Sequence, residues 1–334
     1  MQAQDKILKL ANIPQAAAAI TYANNLQKIL AAVPAAAEKM RTHNISENII
    51  TDTFADIGLW AAYCKKHHGQ WGICKRANDW LKFHTDCKIF RIGRFQCIPR
   101  HFSARGNARF FRNNKTEQLL AITAGEAMYR KDGQLSGTSG IYEDGFRSFC
   151  HEKLQAIEGL VIDPKGHAIN KTATLNLAEW TEVLKAGMPV LDLHIPADGD
   201  FGMETIRNSL TCMIDFTRTH QDAIEKLTGV KGPFAAFTLS SWLIDAQLDG
   251  ILPGTSRLVQ HLRQYYLLPI LCEGYNQLSY IFEEQNIDTL RPEDIKTSLQ
   301  RNIIKFVHDG GRTRESSGII MFDDISKFGK EPYR

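Results

Sequence analysis

His194 and Asp192 alternate along the short apolar run Val190-Leu191-Asp192-Leu193-His194-Ile195, so in an extended chain both side chains share one face. A histidine titrating near neutrality can take a proton from an attacking group. A carboxylate two residues away can orient the imidazole or hold a substrate ammonium. Pro196 ends the run, and the polar stretch Ala197-Asp198-Gly199-Asp200-Phe201-Gly202 follows. Apolar residues return at Met203, Ile206, Leu210, Met213 and Ile214, which is helical spacing. The pattern predicts strand, glycine-bearing loop and helix. Such a join aims unpaired backbone N–H groups at one point, a place for an anion such as a pyrophosphate. His194 then stands at the C-terminal end of a strand, where open α/β sheets place ligands. The plainer reading assigns His194 to a hydrogen bond holding the Pro196 turn, and Asp192 to an exposed sheet edge.

A second chemical signal is the segment Cys87–Thr116. It carries Lys88, Arg91, Arg94, Arg100, Arg105, Arg109, Arg112 and Lys115, no Asp or Glu, and interleaved Phe90, Phe95, Phe102, Phe110 and Phe111. Basic residues with aromatics can grip phosphates and stack bases, so nucleotide or RNA binding through 88–115 is one alternative. The net charge of +3 favours a solvated strand or a small anion over a long nucleic acid. Cys64, Cys74, Cys87 and Cys97 with His67, His68 and His84 lack the short paired spacing of a zinc knuckle, and no metal is expected.

These residues need a scaffold, and 334 residues are enough for about two domains. Seven cysteines without a paired framework suit a reducing cytosol. No basic, apolar leader or membrane-length apolar run is read in the sequence, so a soluble cytoplasmic protein is expected. Residues 1–85 read as helical, with alanine clusters at Ala16–Ala19 and Ala35–Ala37 punctuated by Pro14 and Pro34. Further helices are expected over Ile49–Tyr63, ending at His67-His68-Gly69, and over Asn78–His84. Ile89–Ile98, Leu119–Arg130 and Leu160–Leu177 read as β, and Gly133–Gly145 as a connecting loop or lid. Later strands are expected at Phe234–Leu239, Tyr265–Leu271 and Ser317–Phe322, and helices at Trp242–Gly250, Ser256–Gln264 and Pro292–His308.

Four segments carry a family resemblance: Asp56-Ile57-Gly58-Leu59-Trp60, Phe90-Arg91-Ile92-Gly93-Arg94-Phe95, Val190–Pro196, and Ser241-Trp242-Leu243-Ile244-Asp245-Ala246-Gln247-Leu248. In order and spacing the chain resembles bacterial acyltransferase-domain proteins that join an N-acyltransferase-like N-terminal domain to a GNAT-like C-terminal domain. The resemblance implies an α/β (α+β) fold: a helical N-terminal region, then a GNAT-like twisted mixed sheet flanked by helices. The expected division is 1–164 and 165–334. It implies acyl-CoA as co-substrate and a small-molecule amine that attacks the thioester directly. By that resemblance the splayed strands are Val190–Pro196 and Phe234–Leu239, and the cofactor lies along Ala197, Gly199, Phe201, Gly202 and Met203. Ser240, Ser241 and Trp242 offer backbone donors to the pantetheine or thioester, the serines themselves reading as helix caps because no nucleophile elbow surrounds them. His194 is the expected base, Asp192 its companion, and Tyr265 or Tyr266 the donor to the leaving thiolate. The sequence departs from the family pattern at Asp198 and Asp200, which put two negative charges where phosphates belong, at a cost on the order of 1 kcal/mol or more. A GNAT-like fold that binds another small ligand without CoA is therefore the second alternative. Oligomeric state is not legible.

Overall fold

The computed structural model describes residues 20–103, 107–274, 276–282 and 287–334. It opens with the helices α1 (Ile20–Thr42), α2 (Glu47–His68) and α3 (Lys75–Thr85). Then come β1 (Phe90–Ile92), β2 (Phe95–His101), β3 (Ala108–Asn113), β4 (Leu119–Thr123), β5 (Met128–Tyr129), β6 (Phe146–Arg147) and β7 (Cys150–Glu152). The strands β8 (Ala156–Asp163), β9 (His167–Asn176), β10 (Trp180–Leu184) and β11 (Pro189–His194) follow, then α4 (Met203–Thr219) and α5 (Gln221–Thr228). The remainder is β12 (Ala236–Ser241), α6 (Leu248–Ile251), α7 (Arg257–Leu262), β13 (Tyr266–Pro269), α8 (Asn276–Ile281), α9 (Ser298–His308) and β14 (Ser316–Met321). The chain forms two compact units: Met1–Arg100 with Pro189–Phe234, and His101–Met188 with Ala235–Arg334. This division is interleaved, so it does not coincide with a single border at residue 164.

In the first unit, α1 buries Leu26, Ile29, Leu30, Val33, Ala36, Ala37 and Met40, a continuous helical stripe. Pro34 lies inside this helix instead of ending it. Proline forfeits one i→i−4 hydrogen bond, and the buried stripe on both sides of it holds the helix together. Gly69 closes α2 in the left-handed conformation, its N–H donating to Lys65 O at 3.1 Å, as the His67-His68-Gly69 signal implied. β1 and β2 form an antiparallel hairpin in which Ile92 faces Phe95. Its turn is Gly93-Arg94, with Gly93 at φ +61 and a Cβ there falling 2.4 Å from Ser209 Oγ of α4. Only glycine lets the turn approach α4 so closely. β11 lies beside β2, and α4 buries Ile206, Leu210, Met213 and Ile214, the predicted face.

In the second unit β10-β3-β4-β8-β7 lie side by side, with β9 paired to β8, and β12-β14-β13 form a further run. The registers Thr238↔Ile319 and Tyr266↔Ile319 make β14 the antiparallel partner of both neighbours. The β8–β9 turn is built as its sequence reads, Asp163 Oδ1 accepting from Lys165 N at 2.8 Å. The segment Gly133–Gly145 is anchored: Thr138 and Ser139 are buried and donate to Ile270 O and Thr313 O.

Some expected elements are shorter. Trp242–Gly250 is a 3-10 turn, Trp242–Ile244, and the one-turn α6, because Asp245 leaves helical ψ and accepts from Gln247 N. The helix expected from Pro292 begins at Ser298, where Thr297 and Gln300 form a capping box. Pro292 instead starts a separate 3-10 turn. Leu119–Arg130 breaks into β4 and β5. Pro14 and Ala16–Ala19 lie outside the described residues. No described helix is long and apolar enough to cross a membrane.

Candidate active site

His194 ends β11 with about a third of its side chain exposed, 34%. Its Nε2 is enclosed and lies 3.4 Å from Asp192 Oδ2, an ion-pair distance without the alignment of a hydrogen bond. Arg100 Nη1 stands 3.2 Å from the same carboxylate oxygen. The indole of Trp80 packs on the His194 ring at 4.5 Å between centroids. That indole is held from the core: Trp80 Nε1 donates to Asp56 Oδ2 at 2.9 Å, and Asp56 also meets His84 Nε2 at 3.2 Å. Burial alone would raise the Asp56 carboxyl, but the hydrogen bond and charge of His84, with the Trp80 bond, hold it below its ordinary range. His194 therefore has its carboxylate companion, as alternation implied, and an indole platform that alternation did not reveal.

The loop after Pro196 treats its two acids separately. Both Asp198 oxygens lie at Arg91 Nη2, at 3.0 and 2.9 Å. Asp200 Oδ2 accepts from Gly202 N and Thr205 Oγ1, each at 3.0 Å, so this carboxylate braces the start of α4. Gly202 is the extended N-cap residue, and the first intrahelical bond runs from Ile206 N to Gly202 O at 3.0 Å. The N–H groups of Met203, Glu204 and Thr205 therefore have no acceptor within the helix, and the helix dipole is positive there. Arg94 reaches this loop from the β1–β2 turn. Its backbone N–H donates to Ser209 Oγ at 2.9 Å and its Nη1 to Pro196 O at 2.8 Å. Its guanidinium lies 5.5 Å from the Phe201 ring centroid.

The remaining expected site residues lie in the second unit. Ser241 Oγ accepts from Leu243 N at 3.1 Å and caps the Trp242–Ile244 turn, while Ser240 Oγ donates to Ser317 Oγ at 3.1 Å. Trp242 is half-buried. Tyr265 is fully enclosed, its hydroxyl 3.2 Å from the buried His261 Nε2, and burial pushes it far above an ordinary tyrosine. Tyr266 is equally enclosed, accepting from Ala121 N and donating to Ile162 O. Neither hydroxyl is placed to meet a leaving group, because each is fastened inside the core.

The basic segment has other tasks than an open nucleic-acid face. Arg91 pairs with Asp198, Arg100 with Asp192, Arg109 with Glu152 and Glu182, and Arg112 with Asp324. Phe90, Phe95, Phe102, Phe110 and Phe111 are core residues. Arg105 lies outside the described residues. Among the described residues no group of three or more His, Cys, Asp or Glu side chains is arranged to hold a metal ion.

A family model described as a GNAT-like C-terminal domain matches residues 89–320, and one described as an N-acyltransferase N-terminal domain matches residues 16–87. The chain belongs to this acyltransferase family, its helical N-terminal region followed by a GNAT-like sheet. Solved structures of similar fold include an acyltransferase in complex with decanoyl-CoA, at 17% identity and TM-score 0.56, covering 96% of this chain and 75% of that one. A second is an acyltransferase with decanoyl-CoA and teicoplanin, at 17% and 0.57, covering 96% and 76%. A third is an acyltransferase with CoA and 10C-teicoplanin, at 17% and 0.54, where the match covers 88% of this chain and spans 64% of that one's length. At such identity the likeness fixes the fold. No curated protein matches the sequence.

Proposed function

We propose that this chain transfers an acyl group from acyl-CoA to the amine of a small molecule by direct attack on the thioester. The observation that carries the reading is the end of β11. A half-exposed histidine with a carboxylate at its enclosed nitrogen is followed at once by a glycine-bearing loop into a long helix. Nε2 turned toward Asp192 favours the tautomer that leaves Nδ1 as the acceptor. In the proposed step the amine nitrogen forms the new bond to the acyl carbon and the bond from carbon to sulfur breaks. The proton shed by the nitrogen passes to His194 Nδ1, and CoA leaves with a proton drawn from water. Asp192 orients the imidazole, and Arg100 and Trp80 hold that pair in place.

The pyrophosphate, on this reading, lies along Ala197–Gly202 at the N-terminus of α4, with Met203 at its edge. Of the two acids that argued against CoA, Asp200 is taken up by Gly202 N and Thr205 Oγ1, which supports CoA over a CoA-free fold, while Asp198 is held by Arg91 and still faces the anion. Tyr265 has no step. The acyltransferases of similar fold with decanoyl-CoA, and with teicoplanin beside it, support a CoA thioester as donor and a small molecule as acceptor.

Thermal unfolding with and without CoA and acyl-CoAs of graded length tests the reading. At a hundred times its dissociation constant a bound species adds about 2.7 kcal/mol, a clear shift in midpoint. Absence of a shift with every CoA species removes it.

A further inference from the structure

Arg94 is enclosed, with 7% of its surface exposed, yet the acceptor it has found is the neutral Pro196 carbonyl. Its Nε is buried and has no partner among the described residues, and it forms no ion pair with a carboxylate there. A buried cation with no carboxylate at ion-pair distance is costly, and Arg91, Arg100, Arg109 and Arg112 of the same segment each have one. The structure goes to some length to keep Arg94 where it is. Ser209 of α4 fixes its backbone N–H, and Gly93 allows the turn to reach α4.

The side chain is aimed at the loop that opens α4. A Cβ built on Gly199, itself at φ +89, falls 3.5 Å from Arg94 Cδ, 3.8 Å from Nε and 3.9 Å from Nη1. We infer that Arg94 is the cation of an anion site formed by the loop Asp198–Gly202 and the first-turn N–H groups of α4, a site that takes a phosphate or pyrophosphate group. Within the site, Asp198 is a built-in competitor. It is 42% exposed, sits on Arg91 through both oxygens, and presents a carboxylate where the incoming anion must lie. Its charge bears on Arg94 as well: burial lowers the Arg94 guanidinium from its ordinary value, and Asp198 is the strongest influence in the opposite direction. The inference rests on the reading above for the claim that the anion belongs to CoA, and stands apart from it for the claim that the site binds inorganic pyrophosphate.

Calorimetric titration of the full chain with inorganic pyrophosphate and with CoA tests it, using wild type, Arg94→Gln and Asp198→Asn. The glutamine variant keeps a donor for Pro196 O and loses the charge. Loss of one charge-assisted contact weakens both ligands about tenfold or more. Asp198→Asn tightens both, and this variant decides the matter alone if Arg94→Gln does not fold. Equal affinities in wild type and folded Arg94→Gln overturn the inference, as does unchanged or weaker binding to Asp198→Asn. CoA binding that ignores Arg94 leaves the acyl-CoA reading standing without it. Pyrophosphate binding that depends on Arg94, beside no binding of CoA, leaves Arg94 standing and removes CoA. Wild type that binds neither ligand overturns both.

Discussion

Two enclosed arginines have opposite surroundings. Arg112, in β3 of the second unit, is matched in full: its Nη1 and Nη2 donate to the two oxygens of Asp324, at 3.2 and 2.7 Å, and Lys327 meets the same carboxylate at 2.9 Å. Arg94, in the turn beside α4 of the first unit, has a carbonyl and an unfilled Nε. The same contrast separates the carboxylates. Asp245 of the second unit accepts from Gln247 N and Arg314 N inside the core, whereas Asp192 of the first lies 3.2 Å from Arg100 Nη1 and 3.4 Å from a partly exposed histidine at a strand end. Polar groups whose bonds are complete hold the fold. Arg94 Nε, left incomplete beside a helix start, is the group the proposed anion would complete.

The largest expected effect that sharpens this contrast is on rate. His194→Gln is expected to lower amine acylation by about 10²- to 10⁴-fold, measured as product formed per enzyme, with the thermal midpoint close to wild type. A variant that unfolds instead moves His194 into the structural class. Next, Arg112→Ala leaves the buried Asp324 with Lys327 alone and is expected to cost about 2 kcal/mol or more in urea unfolding. Its counterpart, Arg94→Gln, is expected to leave unfolding within about 1 kcal/mol of wild type, because no completed ion pair is broken. If both arginine variants lose stability equally, the comparison fails.

Acid titration distinguishes the second unit further. Burial would raise the Asp324 carboxyl, but hydrogen bonds from Arg112 and Lys327 outweigh it and hold the group below its ordinary value. A depressed carboxyl contributes stability that is fully present above its unfolded value, about 4, and is lost as pH falls through the folded value. Unfolding free energy followed from pH 7 to pH 3 is expected to decline on the acid side, and less steeply in Asp324→Asn. The smallest effect is Asp200→Ala, which removes the brace at the start of α4 and is expected to cost about 1 kcal/mol.

Strand–loop–helix at Val190–Met203 was legible because its signals are local: alternation, a proline stop and an amphipathic helix. The pairing of Asp192 with His194 was legible for the same reason, since two residues on one strand share a face wherever the strand lies. What stayed hidden depends on distant chain. Trp80 reaches His194, and Arg91 reaches Asp198 across 107 residues. The charge run 88–115 looked like one surface. Arg91, Arg100, Arg109 and Arg112 instead stand in separate ion pairs with carboxylates from later elements, while the phenylalanines between them are buried. Tyr265 looked available from sequence because nothing local reports that His261, one turn back, closes over its hydroxyl. The proline at 292 drew the helix start too early, and the local capping-box signal of Thr297 and Gln300 was missed.

The central claim is transfer of an acyl group to an amine. The most direct measurement follows CoA release from acyl-CoAs of graded chain length, with and without a panel of small-molecule amines, and weighs the products. The account predicts release that requires an amine, one amide formed per CoA, and no acyl group left on the protein. Release that ignores the amine, an acylated protein, or no release from any thioester in the presence of amines contradicts it.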